Sequence, residues 1–417
     1  MVRAVIFDFG GVLMRTVTPA PRRELGQRLG LSLEEVEEAV FGSPRWDEVQ
    51  LGRISYTEFW EDAARRLGWD VGDAKGLGDA FWSGDRLDEE LMALIRHLRD
   101  EGYRTALLSN APSHLRQFVE GLGIAGAFDE IIISSCEGLM KPNPAIFELM
   151  LARLGARAEE ALFVDDFRVN VAAARQVGLR AVRFRGLAPL RKQLRELGIP
   201  APDPVLAPLP DVRAVVFDWG GVMEASPDDA YVAGWERRLA LEPSTLPQVL
   251  WGKVWRQLEV GAISNDDFMR HIADRLSLPD AEAAVSFVRE FYSGDWFNPE
   301  VAAAVRTLRA SYQVALLSNA WPGQDEAIRE QFGIDVHTEF DVYVNSAEVG
   351  LRKPDPAIFY LTLERLGVAP QQAIFLDDSL RNVDSARELG IHAVQFVDPQ
   401  TSLAELETLL DLGFADL

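Results

Sequence analysis

One cysteine, Cys136, stands in a chain of 417 residues. A lone thiol has no partner within its own chain, which excludes an internal disulfide and fits a reducing compartment, the cytoplasm. Basic residues are also scarce: 42 Lys and Arg against 65 Asp and Glu give 42 − 65 = −23. Nucleic acid demands a basic footprint, so no nucleic-acid partner is expected. A small phosphorylated metabolite stays open, because a local site on an acidic protein can still be positive. No apolar run is long enough to span a bilayer, so no membrane is expected. The N-terminus enters an apolar stretch at once, without the basic and apolar regions of a secretory signal. What remains is an ordinary soluble composition, 48% hydrophobic and 26% charged, in a chain too long for one common core.

The most informative feature is a repeat. Arg3-Ala-Val-Ile-Phe-Asp8-Phe-Gly-Gly-Val12 returns as Arg213-Ala-Val-Val-Phe-Asp218-Trp-Gly-Gly-Val222, with the aspartates 210 positions apart. An apolar run without polar alternation reads as a buried strand of a parallel sheet. The glycines allow a sharp turn where the strand ends. In an open α/β sheet that turn borders the ligand crevice, so Asp8 and Asp218 should stand at strand carboxyl ends. Further landmarks recur in the same order. Apolar strands end in Ser109-Asn110 and Ser318-Asn319, and Lys141-Pro142 and Lys353-Pro354 precede helices. Two more strands end in Asp165-Asp166 and Asp377-Asp378, with Asn170 and Asn382 following. Strands alternating with helices predict a doubly wound parallel sheet in each half, so the fold class is α/β in two tandem copies.

This reading divides the chain into 1–197, a proline-rich linker at 198–210, and 211–417. Prolines in the linker favour an extended spacer. Between the first two motifs of each half lies a helical insertion, about 15–86 and 224–296. Ser32 with Glu35 and Ser55 with Glu58 have the spacing of capping boxes. Trp46, Trp60, Trp69, Trp82, Trp235, Trp251, Trp255 and Trp296 fall in these insertions. They are expected to fill small helical cores; the sharper reading turns one or two toward a substrate cleft. Two copies on one chain allow an intramolecular pseudo-dimer, while sequence leaves the oligomeric state open.

The chemistry follows from charge. Carboxylates sharing one crevice repel by about 4 kcal/mol per pair at 4 Å and an effective dielectric near 20. A phosphate dianion would add to this, and a divalent cation relieves it. Hard oxygen ligands favour Mg²⁺. Lys141 or Lys353 then supplies positive charge to phosphate oxygens, Ser109 or Ser318 a hydroxyl, and Asn110 or Asn319 is expected to bind phosphate with them. Asp8 or Asp218 is left as a nucleophile that forms an aspartyl-phosphate.

With these motifs in place, both halves resemble the haloacid dehalogenase superfamily, in the subgroup with a helical cap between the first two motifs. The resemblance implies a Mg²⁺-dependent phosphatase acting on a small phosphorylated metabolite. It makes Asp8 and Asp218 nucleophile and metal ligand, and assigns the Gly10 and Gly220 carbonyls to the metal. It places Asp166 and Asp378 on the metal directly, with Asp165 and Asp377 adjacent or bridged by water. Phosphatases of this superfamily usually carry an acid/base aspartate where this chain has Gly10 and Gly220. That departure motivates a second reading, a non-catalytic phosphate-binding or regulatory protein. A third is a metal-independent dehalogenase, against which the crowded acids count. His114, a few residues after Asn110, is a candidate proton donor for the first half; as a plain surface residue it would start a helix.

Overall fold

The structure is a computed structural model that describes residues 1–225, 227–293 and 297–412. Trp296, at the expected end of the second insertion, lies outside the described residues. The chain divides into two compact units, Met1–Pro204 and Val205–Leu417. The division falls inside the proline-rich stretch, whose two ends are anchored rather than freely extended. Ile199 and Ala201 are buried, and Arg195 donates to the Ala201 carbonyl at 3.0 Å. On the other side Leu206 and Leu209 pack on the second core, and the Leu209 N–H donates to the Leu409 carbonyl at 2.7 Å.

In the first unit the strands are β1 (Ala4–Phe7), β2 (Met14–Thr16), β3 (Asp85–Leu87), β4 (Arg104–Ser109), β5 (Glu130–Ile133), β6 (Ala161–Asp165) and β7 (Arg180–Arg183). Five of them form a sheet in the order β5-β4-β1-β6-β7, with parallel pairing throughout. All four residues of β1 are buried, as a strand covered on both faces requires. The strand order reverses at β1, and there the carboxyl ends open a crevice. Register puts Phe7 level with Leu107 of β4 and Val164 of β6. Asp8, Ser109 and Asp165 therefore arrive together at the top of three adjacent strands.

The second unit repeats this with β8 (Ala214–Phe217), β9 (Gln313–Ser318), β10 (Val342–Asn345), β11 (Ala373–Asp377) and β12 (His392–Gln395). Its order, β10-β9-β8-β11-β12, is the same order strand for strand.

Each insertion is a helical cap on a narrow stem. In the first unit β2 and β3 pair antiparallel with Arg15 opposite Arg86, at the expected limits of the insertion. In the second, Glu224 and Phe297 form an antiparallel bridge. Both predicted capping boxes are present, at Ser32/Glu35 and Ser55/Glu58. The tryptophans mainly serve the cap cores: Trp60 and Trp235 are buried, and Trp46, Trp69, Trp82, Trp251 and Trp255 pack partly buried around them.

Each unit has its own sheet and its own cap core, so each should fold by itself. Val205 is fully exposed at the division. Cleavage at an engineered protease site there should yield two fragments that each melt cooperatively by calorimetry. Loss of either transition would show that one unit depends on the other.

Candidate active site

Asp8 follows β1 with its N–H donating to the Val164 carbonyl at 2.9 Å, which ties the residue just past the strand to β6. Its Oδ1 accepts the Phe9 N–H at 2.7 Å and lies 2.7 Å from Lys141 Nζ. The same ammonium is 2.7 Å from Asp165 Oδ2. Lys141 is 2% exposed and Asp165 is fully buried. A buried ammonium is stable only when paired, and here two carboxylates share it.

Every part of this grip is itself held. The Asn110 amide donates to the Lys141 carbonyl at 2.8 Å, and its Oδ1 accepts the Lys141 N–H at 2.8 Å. This side chain therefore clamps the lysine's backbone, which places any contact of Asn110 with phosphate on its main chain. Asp165 accepts the Phe167 N–H at 2.8 Å and both of its oxygens accept from Asn170, at 3.0 and 3.1 Å. With Lys141 added, the Asp165 carboxylate is occupied as an anchor for the lysine. Ser109 is buried at the end of β4, beside this cluster.

Asp166 is different. Its Oδ1 is buried with no hydrogen-bond partner. One oxygen from each of Asp8, Asp165 and Asp166 lies within 4.8 Å of the others. With all three carboxylates ionised, they and the ammonium sum to −3 + 1 = −2, and one carboxylate oxygen among them has no partner. This donor set fits a hard divalent cation such as Mg²⁺. The titration behaviour follows the same charge balance. Burial pushes the pKa of Asp8 up to about 8 against the pull of Lys141, with Asp165 and Asp166 adding to the rise. Burial and then Asp165 push Asp166 up to about 6. Burial pulls Lys141 down, but Asp8 and Asp165 outweigh it and its pKa is raised.

The second unit reproduces the arrangement. Lys353 Nζ is 2.7 Å from Asp218 Oδ1 and 2.7 Å from Asp377 Oδ2. Asn319 clamps the Lys353 backbone at 2.9 and 2.8 Å, and Asn382 donates to both oxygens of Asp377 at 3.0 Å. Asp218, Asp377 and Asp378 form the matching cluster, and burial raises Asp218 well above the carboxylate range. Asp378 is more exposed than Asp166.

The glycines divide the work in a way the sequence did not reveal. Gly11 has φ +79°, and a Cβ there would lie 2.3 Å from Asp166 Oδ2; Gly221, also φ +79°, meets Asp378 in the same way. Only glycine permits both the turn and the close approach. At Gly10 and Gly220, by contrast, a Cβ would meet nothing within 4 Å. His114 does not join the cluster among the described contacts. Its ring stacks on Tyr56 of the cap helix Tyr56–Leu67 with centroids 3.8 Å apart, and burial pushes its pKa down.

A switch-point crevice of this kind, duplicated and capped, defines a hydrolase class. The chain belongs to the haloacid dehalogenase-like hydrolases, whose sequence pattern matches residues 2–178 and again 212–390. It is 33% identical over 207 residues to mouse acyl-CoA dehydrogenase family member 10, covering 48% of this chain and 19% of that protein. It is 28% identical over 193 residues to a D-ribitol-5-phosphate phosphatase of Bacteroides thetaiotaomicron, covering 44% and 91%. Among solved structures, a predicted HAD-like family hydrolase from Porphyromonas gingivalis is 26% identical with a TM-score of 0.38, covering 47% of this chain and 98% of that one. The chain spans 19%, 34% and 38% of the length of the first curated relatives it matches. No helix among the described residues is long and apolar enough to cross a membrane.

Replacing Lys141 with Met should leave Asp8 and Asp165 buried without their cation. The expected cost is roughly 3–5 kcal/mol in urea unfolding. It should shrink when Mg²⁺ is added, because the metal replaces part of the lost charge. A Met variant as stable as the parent in Mg²⁺-free buffer would contradict this electrostatic account.

Proposed function

We propose that each unit is a Mg²⁺-dependent phosphatase that releases inorganic phosphate from a small phosphorylated metabolite. The observation that carries this reading is one buried lysine gripped by two carboxylates, beside a third whose oxygen has no partner. Phosphatases among the relatives support it, including the ribitol-phosphate enzyme and a sesquiterpene phosphatase of Aspergillus oryzae, 26% identical over 196 residues.

The residues take distinct parts. Lys141 and the Phe9 N–H fix the rotation of the Asp8 carboxylate, so it meets phosphorus in a set orientation. Mg²⁺, held by Asp8, Asp166 and the Gly10 carbonyl, would supply the charge that keeps Asp8 ionised and neutralises phosphoryl oxygens. Lys141 and the Ser109 hydroxyl hold the remaining oxygens. The side chains of Asp165, Asn110 and Asn170 position Lys141, and Asn110 meets phosphate through its main chain. Asp8 attacks phosphorus and the bond from phosphorus to the organic oxygen breaks; that oxygen takes a proton and departs as the alcohol. Water then attacks phosphorus in the aspartyl-phosphate, giving inorganic phosphate and the free carboxylate. Asp218, Lys353, Ser318, Asp377 and Asp378, with Gly220 and Asn319, repeat these roles. A metal-independent dehalogenase has no use for Asp166 or Asp378, and a purely binding protein has no use for a carboxylate so oriented.

Phosphate release from a metabolite panel should require Mg²⁺ and vanish in the Asp8→Asn/Asp218→Asn double variant. Release that persists in that variant, or a chain that binds phosphate and Mg²⁺ yet turns over nothing, would overturn the reading. A second expectation concerns proton donation. Position 10 has room for a side chain, so Gly10→Asp should raise kcat on an alkyl phosphate by roughly 10² and change an aryl phosphate much less. An equal effect on both substrates would show that leaving-group protonation does not limit the parent.

A further inference from the structure

The two polar centres are nearly identical, yet the space beside them is not. In both units the cap loop docks on its own core at one glycine. A Cβ on Gly52 (φ +70°) would sit 2.4 Å from the Ser135 carbonyl oxygen, and one on Gly261 (φ +68°) 2.6 Å from that of Ala347. This close approach sets the two cap loops at the same height, so residues one step along them face equivalent space. In the first unit that residue is Arg53; in the second it is Ala262.

Between cap and core the first unit has a cavity of about 330 Å³. It is lined by Gly52, Arg53, Ser55, Tyr56, Ser113 and Ser135. The volume lies within the range of small-molecule sites. Ser113 belongs to the loop that carries Ser109 and Asn110, and Gln50, between the lining residues Val49 and Gly52, donates to the Asn110 carbonyl at 3.2 Å, so the cavity borders the loop that leads from the polar centre. No carboxylate pairs with the Arg53 side chain among the described contacts. Glu58, which also lines the cavity, stays ionised and its Oε2 accepts the Ser55 N–H at 2.7 Å, leaving it turned to the cap helix's first turn. Tyr56 and His114, stacked at 3.8 Å, stand at the same edge.

In the second unit the position of Pro112 is taken by Trp321. Its indole packs on the cap core with its ring 6.0 Å from that of Trp255, and its carbonyl is held by Asn345 at 3.0 Å. The Asn265 amide, in the place of Tyr56, donates to the Pro322 carbonyl at 3.1 Å and ties the loop to the cap. Bulk and a closing hydrogen bond stand where the first unit has a cavity and a cation.

We propose that the first unit takes phosphomonoesters whose organic part carries a second negative charge, a carboxylate or another phosphate, seated in this cavity against Arg53. The second unit, filled by Trp321 and lacking the arginine, takes smaller substrates without that charge. This rests on the phosphatase reading above and adds to it a division of substrates between the units.

The test uses the full chain with one unit silenced at a time, Asp218→Asn or Asp8→Asn. The probes are p-nitrophenyl phosphate, the isosteric but anionic 4-carboxyphenyl phosphate, and 1,4-phenylene bisphosphate. The readout is the ratio of kcat/KM for each anionic probe to that for p-nitrophenyl phosphate. With the first unit live, the ratio for at least one anionic probe should exceed that of the second unit by about tenfold, the scale of one charged hydrogen bond. The probe that shows it identifies carboxylate or phosphate as the group bound. Arg53→Gln should bring the first unit's ratio down to that of the second. In the second unit, Trp321→Ala combined with Ala262→Arg should raise the ratio. Equal ratios in the two units, or a first-unit ratio unmoved by Arg53→Gln, would overturn the proposal while hydrolysis of p-nitrophenyl phosphate leaves the phosphatase reading standing. No hydrolysis of any probe by either unit would overturn both.

Discussion

The ammonium of Lys141, 2.7 Å from a carboxylate on each side, is the contact on which the rest of the first unit's centre depends. Lys353 does the same in the second. A buried lysine is costly by itself, and so is each aspartate. Together they form a group in which removing any member strands the others. That mutual dependence explains why the flanking residues are arranged as they are. Asn110 fixes the lysine's backbone, Asn170 fixes Asp165, and the Phe9 N–H fixes Asp8. The sheet contributes by bringing β1, β4 and β6 side by side, so that the ends of three strands become one site.

The charge that the lysine leaves uncompensated defines what the site can do. Three carboxylates around one ammonium, with one orphaned oxygen on Asp166, form a donor set that fits a divalent cation, and the proposed phosphatase reading rests on that fit. Gly11 makes this possible sterically, because any side chain at that turn would strike Asp166. Gly52 performs a comparable task farther out, letting the cap lie directly on the core. Close approaches at glycine thus occur both at the acidic cluster and where the cap meets the core. Beside this centre the units differ in Arg53 against Ala262, Tyr56 against Asn265 and Pro112 against Trp321.

Much of this was legible in the sequence, for a physical reason. A parallel strand buried on both faces must be an apolar run, and functional groups must follow it, so FDFGGV, LLSN and FVDD announce both strand and site. Repetition at a nearly constant interval then tied four weak signals into one. The partnerships were not legible. That Asn110 clamps Lys141, that Asp165 accepts from Lys141 and Asn170, and that His114 meets Tyr56 are contacts between separate positions. Nor could the pattern Gly-Gly reveal which glycine is sterically required: Gly10 drew attention as the missing acid/base, yet Gly11 is the one whose Cβ would collide with Asp166. The proline-rich stretch reads as an extended spacer because composition records stiffness, while the packing of Ile199 and Leu209 at its ends depends on the folded units.

The central claim is that Asp8 and Asp218 carry the phosphoryl group between substrate and water. Acid quenching during steady-state turnover of an aryl phosphate, followed by peptide mass spectrometry, tests it directly. The account predicts a phosphoryl adduct on the peptides containing Asp8 and Asp218, formed only when Mg²⁺ is present. Continued phosphate release with no adduct on either aspartate under the same quench would contradict it.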